Sequence, residues 1–181
     1  MNINRKSIEY VDTFKYLGII FDTKLTWKPH IKQQSLKAKA SLFIGRKMLG
    51  KHWGLGPKVT SWLYTAIVRP ILTYGAVVWI TGLENKENRT ILNRIQRLAC
   101  KMITGTMRST PTAGMEILLG LTPINTTIKE YALASCIRMQ KSGHWPGANT
   151  PNQNSHTHIL NTIKLYNGMV RYMFYTLYSI L

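Results

Sequence analysis

The stretch TSWLYTAIVRPILTYGAVVW, from Thr60 to Trp79, is the longest apolar run in the chain and decides its fold. Apolar residues fall on every side of it at helical spacing, which is typical of a buried helix. Pro70 has no backbone N–H to donate and would cost about 3 kcal/mol inside a straight helix. The sequence therefore predicts a buried central helix that bends or breaks at Arg69-Pro70.

The segment before this helix has the composition of β-strands. Between Ser7 and Asp22 it reads SIEYVDTFKYLGIIFD, which is rich in Tyr, Phe, Val and Ile. We expect strands near Ile8–Val11 and Tyr16–Phe21, joined by a turn around Asp12-Thr13. Gly18 would let another backbone approach closely.

A helix with two distinct stripes is expected from Lys28 or Pro29 to Leu49. At helical spacing its inward stripe would hold Ile31, Ala38, Leu42, Gly45 and Leu49. Beside it, at offsets of four, seven and seven residues, lies a basic stripe of Lys28, Lys32, Lys39 and Arg46. Every charged residue between Asp22 and Glu84 is a lysine or an arginine, whereas surface helices usually balance their charges.

Three further helices are predicted after the central one. The most amphipathic runs from Glu87 to Thr104 and ends at Gly105, a natural C-cap. Its apolar face would hold Ile91, Leu92, Ile95, Leu98, Ala99, Met102 and Ile103, and its basic face Arg94, Arg97 and Lys101. A short helix follows Ser109-Thr110-Pro111 and stops at Gly120, and another runs from Thr122-Pro123 to about Lys141.

These elements predict a mainly α fold in which an N-terminal β-hairpin precedes a helical bundle. We assign residues 1–27 to the hairpin and its connector, 28–142 to the helical domain, and 143–181 to a linker and an irregular C-terminal tail. The tail begins with the polar sequence HWPGANTPNQNSHTH, which is typical of a linker.

The charge balance indicates a polyanionic partner. The chain has 24 Lys and Arg against 7 Asp and Glu, a formal charge of +17 and a sequence pI near 10.1. The basic charge favours nucleic acid as the partner, and an anionic membrane surface is the second candidate. A membrane span is not expected, because Arg69 and Pro70 divide the best candidate. Two separated cysteines and the absence of a signal-like N-terminus predict an intracellular protein, in the nucleus or cytoplasm.

The sequence shows no recognisable catalytic centre. Its seven acidic residues form no evident paired-carboxylate site, and Asp12 and Asp22 suit turns and strand ends. A metal site at His144, His156 and His158 would make the chain an enzyme of another class, but the histidines lie in a loop-like segment. We therefore predict no metal, no cofactor and no small-molecule substrate for this chain.

The two basic stripes are the remaining candidate site, and they predict contacts to the phosphates of a nucleic-acid backbone. Such contacts hold a duplex without reading its sequence. Aromatic side chains of the central stretch could instead stack on bases, but a helix that is apolar all round would bury them. We expect core packing for Trp62, Tyr64, Tyr74 and Trp79.

Four segments resemble a known family in unbroken order: FKYLGIIFD (14–22), LTWKPHI (25–31), LYTAIVRPILTYGAVVW (63–79) and ILNRIQRLACKMITGTMRSTPTAGMEILLGLTPI (91–124). They are similar to the region downstream of the polymerase active site in reverse transcriptases of non-LTR retrotransposons, especially the jockey-like and ribosomal-insertion groups. The resemblance implies a primer-grip-like hairpin at Phe14, Tyr16, Leu17 and Gly18, followed by thumb and connector helices.

That resemblance also implies what the chain would work with. The parent enzymes are RNA-directed DNA polymerases that use Mg²⁺, held by palm aspartates upstream of this region. No adjacent pair of aspartates occurs here. The chain is thus expected to be a fragment that holds RNA or an RNA–DNA duplex, pairs with the missing polymerase portions and has no polymerase activity alone. The alternative is a peripheral or integral membrane protein that uses Thr60–Trp79 and the apolar tail.

Overall fold

Helices dominate the computed structural model, which describes residues 2–3, 6–7, 11–48 and 56–142. The strands are β1 Asn2–Ile3, β2 Lys6–Ser7, β3 Thr13–Tyr16 and β4 Ile19–Asp22, and the α-helices are α1 Lys28–Met48, α2 Pro57–Leu63, α3 Arg69–Thr73, α4 Ala76–Trp79, α5 Lys86–Thr104, α6 Thr112–Leu118 and α7 Ile124–Lys141. The predicted mainly α fold with an N-terminal hairpin is confirmed.

Two compact units make up the chain. The larger consists of Met1–Tyr74 and Thr81–Thr127, and the smaller of Gly75–Ile80 and Ile128–Leu181. The hairpin, α1 to α3, α5 and α6 belong to the larger unit. The predicted tail 143–181, with its three histidines, lies outside the described residues.

The main hairpin is formed by β3 and β4, and its turn is not where the composition placed it. Phe14 lies opposite Phe21, and the two-residue tip is Leu17-Gly18, with φ of 46° and 83°. A two-residue turn of this kind needs positive φ at both positions, which Gly18 adopts easily. The predicted turn at Asp12-Thr13 and the unbroken strand Tyr16–Phe21 are therefore wrong, and residues 8–10 lie outside the description.

A single carboxylate organises the connector between the hairpin and α1. Asp22 accepts hydrogen bonds from the Thr26 backbone N–H (2.9 Å), the Thr26 hydroxyl (2.8 Å) and the Trp27 backbone N–H (2.9 Å). Leu25 and Trp27 both have positive φ, 52° and 60°, which costs energy for residues with a Cβ. The three bonds to Asp22 offset that strain and set the point at which α1 begins.

The inward stripe of α1 is confirmed as far as it is described. Ile31, Ala38 and Leu42 are buried, and Gly45 faces α2, where an added Cβ would lie 2.3 Å from Leu63 Cδ2. Leu49 lies outside the described residues. The helix is also fastened to the hairpin, since the Ile20 backbone N–H donates to Nδ1 of the buried His30 at 3.3 Å.

The central stretch contains a π-helical segment, Tyr64–Val68, between α2 and α3. The Arg69 backbone N–H donates to the Tyr64 carbonyl, five residues back. This wider turn comes directly before Pro70, which has no backbone N–H to donate to the carbonyl four residues earlier in a regular α-helix. The break predicted at Arg69-Pro70 is thus a π turn, and α3 ends at Tyr74-Gly75, where Gly75 has φ of 61°.

Burial of this stretch is one-sided. Tyr64, Val68, Leu72 and Trp79 are buried, whereas Trp62 is 64% and Tyr74 52% exposed. The prediction that all four aromatics pack in the core is therefore wrong for Trp62 and Tyr74, because α2 and α3 have one face turned to solvent. No single described helix is both long and apolar enough to cross a bilayer, and one broken pair, Pro57–Thr73 with Ala76–Glu84, passes by length and composition.

The predicted amphipathic helix corresponds to α5. The Asn85 side chain caps its N-terminus by accepting from the Glu87 N–H at 2.9 Å, and Gly105 ends it in the left-handed conformation, as predicted. Its buried residues include Leu92, Ile95, Ala99 and Ile103.

Candidate nucleic-acid interface

The predicted basic stripe of α1 lies on the solvent side of the helix where its side chains are described. Lys32 and Lys39 are exposed and Lys28 is partly exposed. Helix α1 includes Arg46, but that side chain lies outside the described residues. Seven residues, or about 10 Å of helix, separate Lys32 from Lys39.

Lys28 is paired with the carboxylate of Glu87 on the first turn of α5. The hydrogen bond and charge of Lys28, with a smaller contribution from Lys32, lower the pKa of Glu87 below its ordinary value. The pair joins the N-terminal ends of α1 and α5. Lys28 is consequently less available to a phosphate than Lys32 or Lys39.

Apolar side chains share the outward face of α1 with the lysines, which the sequence reasoning missed. Leu36, Phe43 and Ile44 are exposed at offsets of seven and eight residues, and Ala40 lies between them. Lys39 Nζ lies 5.8 Å from the centroid of the Phe43 ring. The helical spacing of Leu36, Ala40, Phe43 and Ile44 was present in the sequence, but the inward stripe was assigned from other apolar residues. We call this surface, with Lys32 and Lys39, the outer face of α1.

The predicted basic face of α5 separates into residues with different surroundings. Arg94 is exposed and Lys101 is partly buried. The Arg97 guanidinium donates to the Thr110 carbonyl (2.9 Å), the Thr112 hydroxyl (2.7 Å) and the Arg108 carbonyl (2.6 Å). Arg97 thus holds the loop between α5 and α6, whereas Arg94 is presented to solvent.

A polar network in the core of the larger unit was also missed. The Tyr64 hydroxyl donates to Gln96 Oε1 at 3.2 Å, and Gln96 Nε2 donates to Glu116 Oε1 at 2.7 Å and to the Thr122 carbonyl at 3.2 Å. Arg69 also donates to the Thr122 carbonyl and lies 5.5 Å from the Tyr64 ring centroid. The signal for it was Gln96, a polar residue beside Ile95 in the apolar sequence of α5.

Burial raises the pKa of two groups in this part of the core, Tyr64 and Cys100. Desolvation raises the pKa of Tyr64 to about 12, partly opposed by the hydrogen bond and charge of Arg69. Burial, with the nearby Glu116 carboxylate, raises the pKa of the Cys100 thiol to about 11. Both groups stay neutral at physiological pH. The hydrogen bonds of the network link the central stretch to α5 and α6.

The primer-grip-like residues occupy β3 and the hairpin tip. Phe14, Tyr16 and Leu17 are exposed, and the Phe14 ring stacks on Phe21 with centroids 5.0 Å apart. Behind the tip, an added Cβ on Gly18 would lie 3.2 Å from the Tyr74 ring. The tip is therefore supported from the central stretch and open on its other side.

Among the residues that the structure describes, no three His, Cys, Asp or Glu side chains form a group that could hold a metal ion. Asp22 is engaged in the connector, and the alternative metal site at His144, His156 and His158 lies outside the described residues.

Known proteins similar to this chain are retrotransposon proteins. The "Retrovirus-related Pol polyprotein from type-1 retrotransposable element R1" of Bradysia coprophila is 32% identical over 140 residues, 76% of this chain and 14% of the relative. The protein of the same name from Nasonia vitripennis is 29% identical over 118 residues, 65% of this chain and 35% of the relative. The "RNA-directed DNA polymerase from mobile element jockey" of Drosophila melanogaster is 32% identical over 105 residues, 57% of this chain and 11% of that protein.

The chain thus spans from about a tenth to about a third of the length of these relatives. No protein-family model matches it, and no solved structure resembles it significantly.

Proposed function

We propose that this chain is the part of a reverse transcriptase that grips the template–primer duplex. The premise is that its homologues are the Pol polyproteins and RNA-directed DNA polymerases of R1- and jockey-type non-LTR retrotransposons. In this proposal it corresponds to the primer-grip hairpin and thumb, and the nucleotidyl-transfer chemistry with its Mg²⁺ belongs to other parts of such a polymerase.

The observation that carries the proposal is the outer face of α1. Lys32 and Lys39 project from a helix that contains no acidic residue, in a chain of formal charge +17. An ordinary solvated helix surface gains from opposite charges three or four residues apart, and α1 has none along its own length. Repulsion among its lysines is relieved when phosphates approach, with release of counterions from the nucleic acid.

The apolar side chains on the same face favour a particular duplex shape. An A-form helix has a wide, shallow minor groove that displays sugars and base edges, and RNA–DNA hybrids approach this geometry. Leu36 and Phe43 would lie against the sugars of such a groove, while Lys32 and Lys39 reach the phosphates beside it. A purely basic face would fit any polyanion, whereas this mixed face fits a shallow groove.

The test is titration of a blunt RNA–DNA duplex with the full chain and with a K32E/K39E variant, at several salt concentrations. Each lost phosphate contact removes about 0.9 from the slope of log K against log salt. We expect the double variant to bind at least tenfold more weakly and with a slope smaller by roughly 1.8. A K129E/K141E variant on α7 carries the same net charge and serves as control, since both lysines are exposed on another helix.

Two results would count against the proposal. If both double variants weaken binding equally, net charge rather than the outer face of α1 drives association. If K32E/K39E binds as the unmodified chain does, α1 has no part in it. A B-form DNA duplex of the same sequence tests the groove separately, because equal affinity for the two duplexes would refute recognition of A-form shape.

A further inference from the structure

Trp62 is a large apolar side chain that the fold leaves in solvent. It is 64% exposed, and Val59, one turn earlier on α2, is 45% exposed. Lys58 precedes Trp62 by four residues, so the two side chains are neighbours on one exposed face of the helix. Among the described side chains the cation–π pairs are Lys39 with Phe43 and Arg69 with Tyr64, and neither includes Trp62.

The packing of α2 explains this exposure. Thr60 and Tyr64 are buried on the inward side of the segment, and Leu63 packs where Gly45 lets α2 approach α1 closely. Once those three neighbours face the core, Trp62 must point outward. The exposure therefore follows from the helix geometry of the larger unit, and the core gains nothing from an indole at this position.

Helix α2 is packed against α1, the helix of the proposed duplex interface. The contact between Gly45 and Leu63 seats α2 against the C-terminal half of α1. Gly45 belongs to the inward stripe of α1, so α2 packs on a different side of that helix from the exposed Phe43 and Lys39. The exposed face of α2 thus carries an indole with a lysine one turn away, in a region of sequence without carboxylates from Thr23 to Leu83.

We propose that Trp62 is a stacking platform for an unpaired base of single-stranded RNA or DNA, with Lys58 contacting the adjacent phosphate. An aromatic face accepts any base, because every base has a π surface, and a neighbouring lysine follows the backbone. This inference rests on the proposed function and extends it: α1 holds the duplex, and α2 holds the strand that continues beyond the duplex end.

The experiment uses the full chain and three probes of one sequence: a blunt RNA–DNA duplex, the same duplex with a single-stranded overhang of about ten nucleotides, and the overhang strand alone. Fluorescence anisotropy gives the affinity for each. We expect W62A to bind the overhang duplex and the overhang strand about tenfold more weakly than the unmodified chain does. Its affinity for the blunt duplex should be unchanged. W62F, which keeps an aromatic ring, should retain most of the affinity, and Y131A removes a 55% exposed aromatic from α7 as the control.

A second readout is independent of affinity. Stacking quenches indole fluorescence, so the overhang should quench the unmodified chain more than W62F, and the difference reports Trp62. The inference is overturned if W62A binds the overhang as tightly as the unmodified chain, or if it weakens blunt and overhang duplexes equally. Failure of the proposed function has another signature, namely unchanged duplex affinity in K32E/K39E.

A protein partner at this face gives a third pattern. In that case W62A leaves all three probes unaffected and the quenching difference is absent, which also refutes the stacking role. Because Trp62 is mostly exposed, these variants should melt close to the unmodified chain.

Discussion

The hydroxyl of Tyr74 donates a hydrogen bond of 2.9 Å to the main-chain carbonyl of Leu17, 57 residues earlier in the chain. Its ring covers Gly18, so the tyrosine at the end of α3 supports both residues of the hairpin tip. Leu17 is held at positive φ, which is unfavourable for a leucine, and its carbonyl is fixed from outside the hairpin. The position of the primer-grip-like tip thus depends on the central stretch.

Tyr74→Phe should loosen the tip without unfolding the chain. It removes the bond to Leu17 and keeps the ring over Gly18, so we expect a loss of about 0.5–1.5 kcal/mol. Amide hydrogen exchange should accelerate in Thr13–Asp22 more than in α5. Tyr131→Phe, at a similarly exposed tyrosine, is the control. Unchanged hydrogen exchange in the hairpin would mean that the Tyr74 hydrogen bond does not stabilise the tip.

Arg97→Ala should destabilise the fold, whereas Arg94→Ala should not. Arg97 donates to three acceptors in 108–112, and bonds from a charged donor are stronger than neutral ones. We expect a loss of about 2–3 kcal/mol for Arg97→Ala in urea unfolding and less than about 0.5 kcal/mol for Arg94→Ala. If Arg97→Ala weakened nucleic-acid binding at unchanged stability, its assignment to the loop would be wrong.

Glu87→Gln should strengthen nucleic-acid binding by releasing Lys28. With the ion pair removed, Lys28 can contact a phosphate, and the slope of log K against log salt should steepen by about 0.9. Glu84→Gln makes the same change of charge on an exposed residue just before α5. Equal effects of the two variants would show that only net charge matters.

His30 should make the fold sensitive to mild acid. Burial, aided by the positive charge of Lys37, lowers the pKa of His30 from 6.5 to about 4. Below pH 6.5 His30 is protonated in the unfolded chain but stays neutral in the folded chain. The free energy of unfolding therefore decreases as the pH falls from 6.5 toward 4. The largest slope is about 1.4 kcal/mol per pH unit.

The measurement is the free energy of unfolding between pH 7 and 4.5 for the unmodified chain and for His30→Asn. Asparagine offers an amide oxygen in place of Nδ1 to the Ile20 N–H and does not titrate. The variant should be less stable at pH 7 but should lose less stability on acidification. Parallel pH curves would assign the acid sensitivity to other groups.

Gly82→Ala and Gly114→Ala should change stability in opposite directions. A Cβ on Gly82 would lie 2.9 Å from the Trp27 Cβ and 3.3 Å from the Ile31 Cδ1, both in the core, and overpacking of this kind costs about 1–3 kcal/mol. A Cβ on Gly114, within α6, meets only the Pro111 Cγ at 3.8 Å, and alanine favours helix by about 1 kcal/mol. Thermal unfolding should show a lower melting temperature for Gly82→Ala and a higher one for Gly114→Ala than for the unmodified chain.

The long helices were predictable because their buried residues recur at helical spacing. Ile31, Ala38 and Leu42 identified the inward side of α1, and Gly105 marked the end of α5. Such local signals need no knowledge of the rest of the chain.

The remaining features depend on residues far away in sequence. Leu17-Gly18 escaped prediction as a turn because leucine disfavours positive φ, and its support comes from Tyr74. Arg97 looked like a surface cation because its acceptors are mainly carbonyls of a loop. The exposure of Trp62 follows from which neighbours face α1 and the core, and an apolar sequence does not report that.

The π-helical segment before Pro70 also keeps the buried residues of the central stretch on one side of the helix. Thr60, Tyr64, Val68 and Leu72 recur every fourth residue, and all four are buried. In a regular α-helix each step of four overshoots a full turn by about 40°, so a line of this period would wind around the axis and leave the core. The wider turn takes up that excess. The same irregularity that precedes Pro70 thus reconciles a burial period of 4 with a helix of 3.6 residues per turn.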